Sequence, residues 1–295
     1  MRGACRLIDR LASELKLHNA LFKSFDLIGD IVVLKSPLGS KELSEKKDAL
    51  KVLAELLLRE LPYVKTVLLA ITPVEGEYRL RKLVFLAGEE KTRTLYKEHG
   101  CSFLVDVAKV YISPRLSFEH ARIAKLIRPN ETIVNMFAGV GTFSIVVAKH
   151  SKARVIYSID KNPEAYKLMV YNIKLNRVED RVVALLGDCR DVIRNGLVAI
   201  ADRVLMPLPS FSKSFYEHAL LSMKNEGVIH SYEFVKVDRG KGRKEAPKLA
   251  FKIVSEILSE IGANFELEGG RVVRSVGPRE YQVALDIKVY KQGVN

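Results

Sequence analysis

Apolar residues recur at every third or fourth position over "CRLIDRLASELKL" and "LSEKKDALKVLAELLLREL", and this spacing predicts two amphipathic helices near the start of the chain. Between them "DIVVLKSP" reads as a strand. From residue 64 to 112 the pattern shortens to β segments, "VKTVLLAI", "RLRKLVFL" and "CSFLVDVAKVYI", parted by Pro, Gly and charged turns. After "SPRL" the chain alternates strand with helix: "ETIVNMF", "FSIVVAKH", "ARVIYSID", "PEAYKLMVYNIKLN", "RVVALLGD", "ADRVLM", "FYEHALLSM", "EGVIHSYEF", "APKLAFKIVSEILSEIG" and "REYQVALDIKVY". Strands separated by helical segments of about 10 to 15 residues predict parallel βαβ units. The apolar "GGRVVRSVGPREYQ" ahead of the final strand predicts an antiparallel edge pair. The expected fold is therefore α/β: a Rossmann-like, mostly parallel sheet with an antiparallel edge strand, preceded by a small α+β domain. Its expected parts are an N-terminal helical extension (1–24), the α+β domain (25–112) and the large domain (113–295).

The 295 residues are 48% hydrophobic, enough for a sizeable core. Cys5, Cys101 and Cys189 are too few and too widely spaced for a disulfide framework or a zinc site, which points to a reducing, cytoplasmic compartment and no metal. The longest apolar runs fall far short of the roughly 20 residues of a membrane span, and the amphipathic start carries acids, unlike a signal peptide. No membrane association is expected. Lys plus Arg at 48 against Asp plus Glu at 35 give a net charge of +13, the footprint of a polyanionic partner such as nucleic acid. A charged surface adapted to heat adds both signs and does not by itself explain the excess. "RLRKLVFLAGEEKTRTLYK" alternates basic and apolar positions and suits an RNA-facing sheet or a solvated one. "KVDRGKGRKEAPK" reads as a basic, mobile loop.

Chemistry concentrates at three strand ends. "IVNMFAGVGTFSIVVAKH" is a buried strand, then Phe137-Ala138-Gly139-Val140-Gly141, then a helix beginning at Thr142. Glycines let a ligand approach the backbone, and a helix N-terminus presents unpaired N–H groups to an anion. The missing third glycine makes this a poor dinucleotide motif. Asp160, ending "VIYSID" beside Lys161, can accept two ribose hydroxyls, although it also precedes a helix and could cap it. Asp188 of "LLGDCRD", followed by Cys189, can accept from the exocyclic amino group of adenine. A nucleoside whose tail is an amino-acid carboxylate fits all three, and S-adenosylmethionine is such a molecule.

Beyond these strand ends, "YISPRLSFEHARIAKLI", "NMFAGVGTFSI", "SIDKNPEAYKLMVYNIKLNRVEDRV", "GDCRD", "ADRVLMPLP", "GVIHSYEF" and "VGPREYQVALDIKV" together resemble the archaeal and eukaryotic tRNA methyltransferases that act at position 37, beside the anticodon. The resemblance runs from Phe25 to the C-terminus. It implies a class I methyltransferase domain preceded by a small RNA-contacting domain, a tRNA substrate, a monomeric enzyme and S-adenosylmethionine as cofactor. An extra N-terminal domain found in many members is expected to be incomplete here. By the resemblance Arg115 is the catalytic arginine, whose guanidinium would neutralise charge growing on guanine O6.

Two positions depart from the family. An acid is usual where Asn135 stands, and "NLP" where Pro207-Leu208-Pro209 stands. The usual asparagine can donate and accept at the edge of a base, whereas Pro207 has neither a polar side chain nor an N–H. Pro207 and Pro209 are thus expected to wall the target site. Two methyl acceptors fit the expectation, N1 of guanosine and C7 of a tricyclic wyosine intermediate. The alternatives are aminocarboxypropyl transfer in wyosine formation and a non-catalytic tRNA-binding paralogue. Glu119, four residues past Arg115, reads equally as a proton acceptor and as a helix-surface residue.

Overall fold

The three- and four-residue spacing puts Ile8, Leu11 and Ala12 on one side of α1 (Arg2–Glu14), where they share a buried cluster with Leu50, Leu53, Ala54 and Leu57 of α3 (Lys47–Glu60). The computed structural model describes residues 2–17, 19–22 and 25–291. It divides into two compact units, Met1–Pro114 and Arg115–Asn295. The expected boundary after residue 24 adjoins Lys23 and Ser24, which lie outside the described residues.

In the first unit β1 (Asp26–Ile28), β2 (Ile31–Lys35), β3 (Thr66–Ala70) and β4 (Leu83–Gly88) form one sheet in that order. The crossover through α2 (Ser40–Glu45) and α3 makes β2 and β3 parallel, and the other pairs are antiparallel. The single helix expected over "LSEKKDALKVLAELLLREL" is these two, because Lys46 (φ −102°, ψ 7°) leaves helical geometry. β5 (Arg93–Glu98) and β6 (Cys101–Asp106) make a separate hairpin. The strand expected to run through "CSFLVDVAKVYI" stops at Asp106, whose carboxylate accepts the Ala108 N–H at 3.2 Å and whose carbonyl accepts the Lys109 and Val110 amides. Those bonds fold the chain into a turn.

The second unit runs α4 (Ser117–Leu126), β7 (Thr132–Asn135), α5 (Thr142–His150), β8 (Val155–Asp160), α6 (Pro163–Leu175), β9 (Val182–Leu186), α7 (Cys189–Gly196), β10 (Ala201–Met206), α8 (Lys213–Ser222), β11 (Met223–Lys236), α9 (Ala246–Glu260), β12 (Asn264–Gly277) and β13 (Glu280–Tyr290). The sheet order is β12-β13-β11-β10-β7-β8-β9, with β7 to β11 parallel. β13 is antiparallel to β11, and β12 to β13. From β7 the chain proceeds through β8 to β9 on one side, and from β10 to β11 on the other. That reversal opens a crevice at the carboxyl ends of β7 and β10, where α/β sheets bind ligands. Val134, Ile159, Val204, Ile229, Val283 and Leu285 are fully buried and fix the strands that surround it.

Candidate functional site

The chain leaves the wholly buried β7 through Met136 and must turn sharply to enter α5. Gly139 (φ 58°) and Gly141 (φ 90°) take the left-handed conformation that side chains disfavour. A Cβ on Gly141 would also press to 3.1 Å from Ile145 Cδ1 and 3.2 Å from Met169 Cγ. The turn is tied from both flanks: the Ala138 N–H donates to Ile159 O at 2.8 Å, and Asn172 Nδ2 donates to Val140 O at 3.1 Å. Phe137 to Thr142 therefore form one fixed loop at the N-terminal end of α5.

Asp160 closes this loop from the tip of β8. Its Oδ2 accepts the Gly139 N–H at 2.6 Å, and its Oδ1 accepts the Asn162 N–H at 2.9 Å. Burial pushes the Asp160 carboxyl upward, against the pull of these two amides. The cap of α6 is Asn162, which accepts the Glu164 N–H at 3.0 Å ahead of Pro163. Asp160 is thereby left to the loop, and each of its oxygens keeps a lone pair for a hydroxyl.

The Gly187 N–H donates to Asp160 O at 3.1 Å and brings the tip of β9 alongside. There Asp188 caps α7, accepting the Arg190 N–H at 2.9 Å, and takes two further bonds from the Arg190 guanidinium at 2.9 and 2.8 Å. Lys161 Nζ stands 3.5 Å away. Above all the bonded Arg190 guanidinium holds the Asp188 carboxyl well below the usual carboxylate range. The Arg190 guanidinium also lies 5.5 Å over the Phe215 ring, whose centroid is 4.9 Å from that of Phe137 in a T-shaped pair. Cys189 is buried, which pushes its thiol up to about 12, so it is neutral and packs in the core.

On the other flank the Met136 N–H donates to Leu205 O at 3.0 Å, so the half-buried turn Pro207-Leu208-Pro209 begins beside Met136 and Phe137. Asn135 is fully buried: its Nδ2 donates to Ser144 Oγ at 3.0 Å, its Oδ1 accepts the Phe137 N–H at 3.4 Å, and Ser158 Oγ donates to Ser144 at 2.7 Å. Asn135 thus clamps β7, β8 and α5 together, a role in which its donor is used.

Arg115 is exposed in the 3-10 turn Pro114–Leu116 that leads into α4. Leu126 at the far end of α4 accepts from Arg203 Nη2 at 3.2 Å, low on β10, whereas Glu119 accepts from Tyr232 Oη at 3.0 Å, level with the strand tip. α4 therefore descends the sheet, and Arg115 stands at the same sheet end as the glycine loop and Pro207. Further along the chain, at Phe118 and Glu119 of α4, opens a cleft of about 450 Å³, lined also by Gly269, Gly270, Arg271 and Asp286 among others. Glu119 is 1% exposed, is bonded by Arg122 at 2.8 Å and is approached by Arg271 at 3.4 Å, so it is no helix-surface residue.

Sequence reasoning missed a buried charged chain that supports this cleft. Glu131 pairs with Arg203 at 2.9 Å, and Arg203 Nη1 donates to His230 Nε2 at 2.6 Å. His230 Nδ1 donates to Asp286 at 2.5 Å, and Asp286 pairs with Arg122 at 2.6 Å. Burial lowers the His230 pKa and the two arginines lower it further, against Asp286, so the ring is neutral with its proton on Nδ1. The available signal was "HSYE", four successive polar residues in a strand whose neighbours are apolar. Among the described residues no helix is long and apolar enough to cross a membrane, and no group of three or more His, Cys, Asp or Glu could hold a metal ion.

A family model described as the TRM5/TYW2 methyltransferase domain matches residues 94–258, and a TYW2 N-terminal domain model matches residues 7–92. The chain is 38% identical over 275 residues to the tRNA (guanine(37)-N(1))-methyltransferase Trm5b of Pyrococcus abyssi, covering 93% of this chain and 77% of that one. It is 36% identical over 278 residues to the tRNA 4-demethylwyosine(37)-methyltransferase Taw21 of Saccharolobus solfataricus, covering 94% and 98%. Among solved structures, that of P. horikoshii TYW2 in complex with MeSAdo superposes with a TM-score of 0.74 at 32% identity, covering 98% of this chain and all of that one.

Proposed function

The chain belongs to the TRM5/TYW2 methyltransferase family, and from that premise we propose that it is a tRNA methyltransferase using S-adenosylmethionine on the base at position 37, with guanosine and the tricyclic wyosine intermediate as the two acceptors. The observation that carries this reading is the joined tips of β7, β8 and β9, where Asp160 fastens the glycine loop and sits beside Asp188. When bound, S-adenosylmethionine supplies an electrophilic carbon on its sulfonium. Asp160 accepts the ribose hydroxyls on the lone pairs left by Gly139 and Asn162, and Asp188, with Lys161, holds the adenine edge. The amides of Val140, Gly141 and Thr142 meet the amino-acid end. Phe137 flanks the nucleoside, and Ala138 and Cys189 shape the pocket from behind.

Arg115 neutralises charge on the target base, and Pro207 and Pro209 form an apolar wall that excludes water. Glu119, buried in the neighbouring cleft four residues past Arg115, takes the proton released on alkylation. Nucleoside mass spectrometry after incubation with tRNA carrying guanosine or the tricycle should show the mass of one added methyl group. An unchanged nucleoside on both substrates overturns the reading.

A second reading, transfer of the aminocarboxypropyl group of the same cofactor, is favoured by the match of residues 7–92 to a TYW2 N-terminal domain. Label in the cofactor's methyl carbon reaches RNA under the first reading. Label in its carboxyl carbon reaches RNA under the second.

A further inference from the structure

Alternate side chains of β11 face opposite sides of the sheet. His230 and Tyr232 meet the α4 side, while Ser231 and Glu233 meet α8. Glu233 is 1% exposed. Its Oε1 accepts from Tyr216 Oη at 2.7 Å and from Ser231 Oγ at 3.0 Å. Its Oε2 is buried and has no hydrogen-bond partner among the described residues. Met206 at the end of β10 is level with Ser231, so Glu233 stands just past that tip, where the Pro207 turn begins. The Ser210 amide at the end of the turn faces the carboxylate and favours its charged form. Proline has no N–H, so Leu208 and Ser210 carry the only amides between Pro207 and Ser210.

We propose that Glu233 is a positioning residue for the target base, which draws the Ser210 N–H onto its open Oε2 and so sets the Pro207–Ser210 turn against the tip of β10. The proposal rests on the reading that this turn walls the base site.

The interaction has a built-in dependence on protonation. Burial pushes the Glu233 carboxyl up to about 7, against Tyr216, Ser231 and the Ser210 amide. The surrounding elements bring no charge to it: β10 contributes Met206, β13 contributes Val283 and, two residues on, the phenol of Tyr281, and α9 turns Ala246, Ala250 and Val254 inward. When ionised, Oε2 is an acceptor, and the Ser210 amide is a donor that faces it. When protonated it becomes a donor facing a donor, and the turn is released. Alkylation should therefore rise as pH rises through about 7.

Glu233→Gln separates this role from packing. Its carbonyl still accepts from Tyr216 and Ser231, but its NH₂ cannot accept from Ser210 at any pH. In wild-type protein the turnover rate on tRNA should fall about tenfold from near pH 8 to near pH 6, the worth of a hydrogen bond to a charged group. Cofactor affinity and KM for tRNA should stay level. Glu233→Gln should hold the low rate across the range, and Tyr216→Phe, which removes a donor that favours the charge, should move the transition to higher pH. Hydrogen exchange of the turn, corrected for its intrinsic rate, should show Ser210 protected at high pH in wild type and unprotected in Glu233→Gln. A wild-type rate and pH profile in Glu233→Gln overturn the proposal, as does a transition that Tyr216→Phe leaves in place. Wild-type protein that alkylates neither substrate defeats the reading of the base site instead, and the Ser210 exchange transition then decides the Glu233 interaction alone.

Discussion

In the proposed reading Asp160 holds the cofactor's ribose, and its bonds to the glycine loop make the consequence of losing it specific. Asp160→Ala removes the acceptor of the Gly139 and Asn162 amides and, in our reading, of the ribose, so cofactor binding should weaken by about 1.5 to 3 kcal/mol in calorimetry, with tRNA affinity little changed. Because burial raises the Asp160 pKa, wild-type cofactor affinity should begin to fall at a higher pH on the acid side than an ordinary carboxylate would give. Glu233 makes a separate stability prediction. Its folded pKa of about 7 lies above the ordinary 4.5, so it contributes its full stability below the lower value and loses it as pH rises toward the higher one. Glu233→Gln should accordingly be more stable than wild type by about 3 kcal/mol in urea unfolding above neutrality, and by little near pH 4.5. Pro207→Asn would place a polar edge on the proposed wall and should raise guanosine methylation over that of the tricycle by up to roughly tenfold in a competition assay. An unchanged substrate ratio would remove Pro207 from the account of specificity.

Among the elements, the buried chain Glu131–Arg203–His230–Asp286–Arg122 ties α4, β10, β11 and β13 into one frame. Arg203→Met leaves Glu131, whose side chain is 12% exposed, without its cation and should cost up to about 3 kcal/mol in chemical denaturation. The exposed pair Lys213–Glu260, at 3.2 Å with both side chains about half in water, is a control: Lys213→Ala should cost under about 1 kcal/mol. Helices and strands were legible where one face is apolar, because their periods of 3.6 and 2 are written directly in the chain, as in α9 and in the β12–β13 edge pair. They were illegible where a single residue redirects the backbone, as Lys46 does between α2 and α3 and Asp106 does at the end of β6. The site divides in the same way. The glycine loop, Asp160 and Asp188 follow one another at strand ends and could be found by spacing. Glu119 could be reached by its spacing from Arg115 but with two readings open, and Asp286 and Glu233 could not be reached, because their partners lie as far as 164 residues away in the chain or on the hidden face of a strand.

For the whole molecule the net charge of +13 remains to be placed. Within residues 236–248 six cations, Lys236, Arg239, Lys241, Arg243, Lys244 and Lys248, stand against two acids, Asp238 and Glu245. Lys236, Lys241 and Lys248 are paired, with Glu280, Asp238 and Glu245 at 2.9, 2.9 and 3.1 Å, and exposed pairs of this kind are weak. Among the described residues Arg243 donates to a carbonyl, Val272 O, at 3.3 Å. If tRNA is the polyanion, its affinity should fall linearly on a log–log plot against salt, since each neutralised phosphate releases counterions. Replacing Arg239, Arg243 and Lys244 by Gln should then flatten the plot by about 0.9 in slope for each phosphate no longer neutralised, or about 0.7 where the RNA is single-stranded. Cofactor affinity should not move, because the glycine loop and Asp160 lie at the tips of β7 and β8 and take no bond from this segment. A wild-type plot with no slope would make the charge excess a property of the surface. A steep plot that the triple substitution leaves unaltered would assign the phosphates to other cations of the chain.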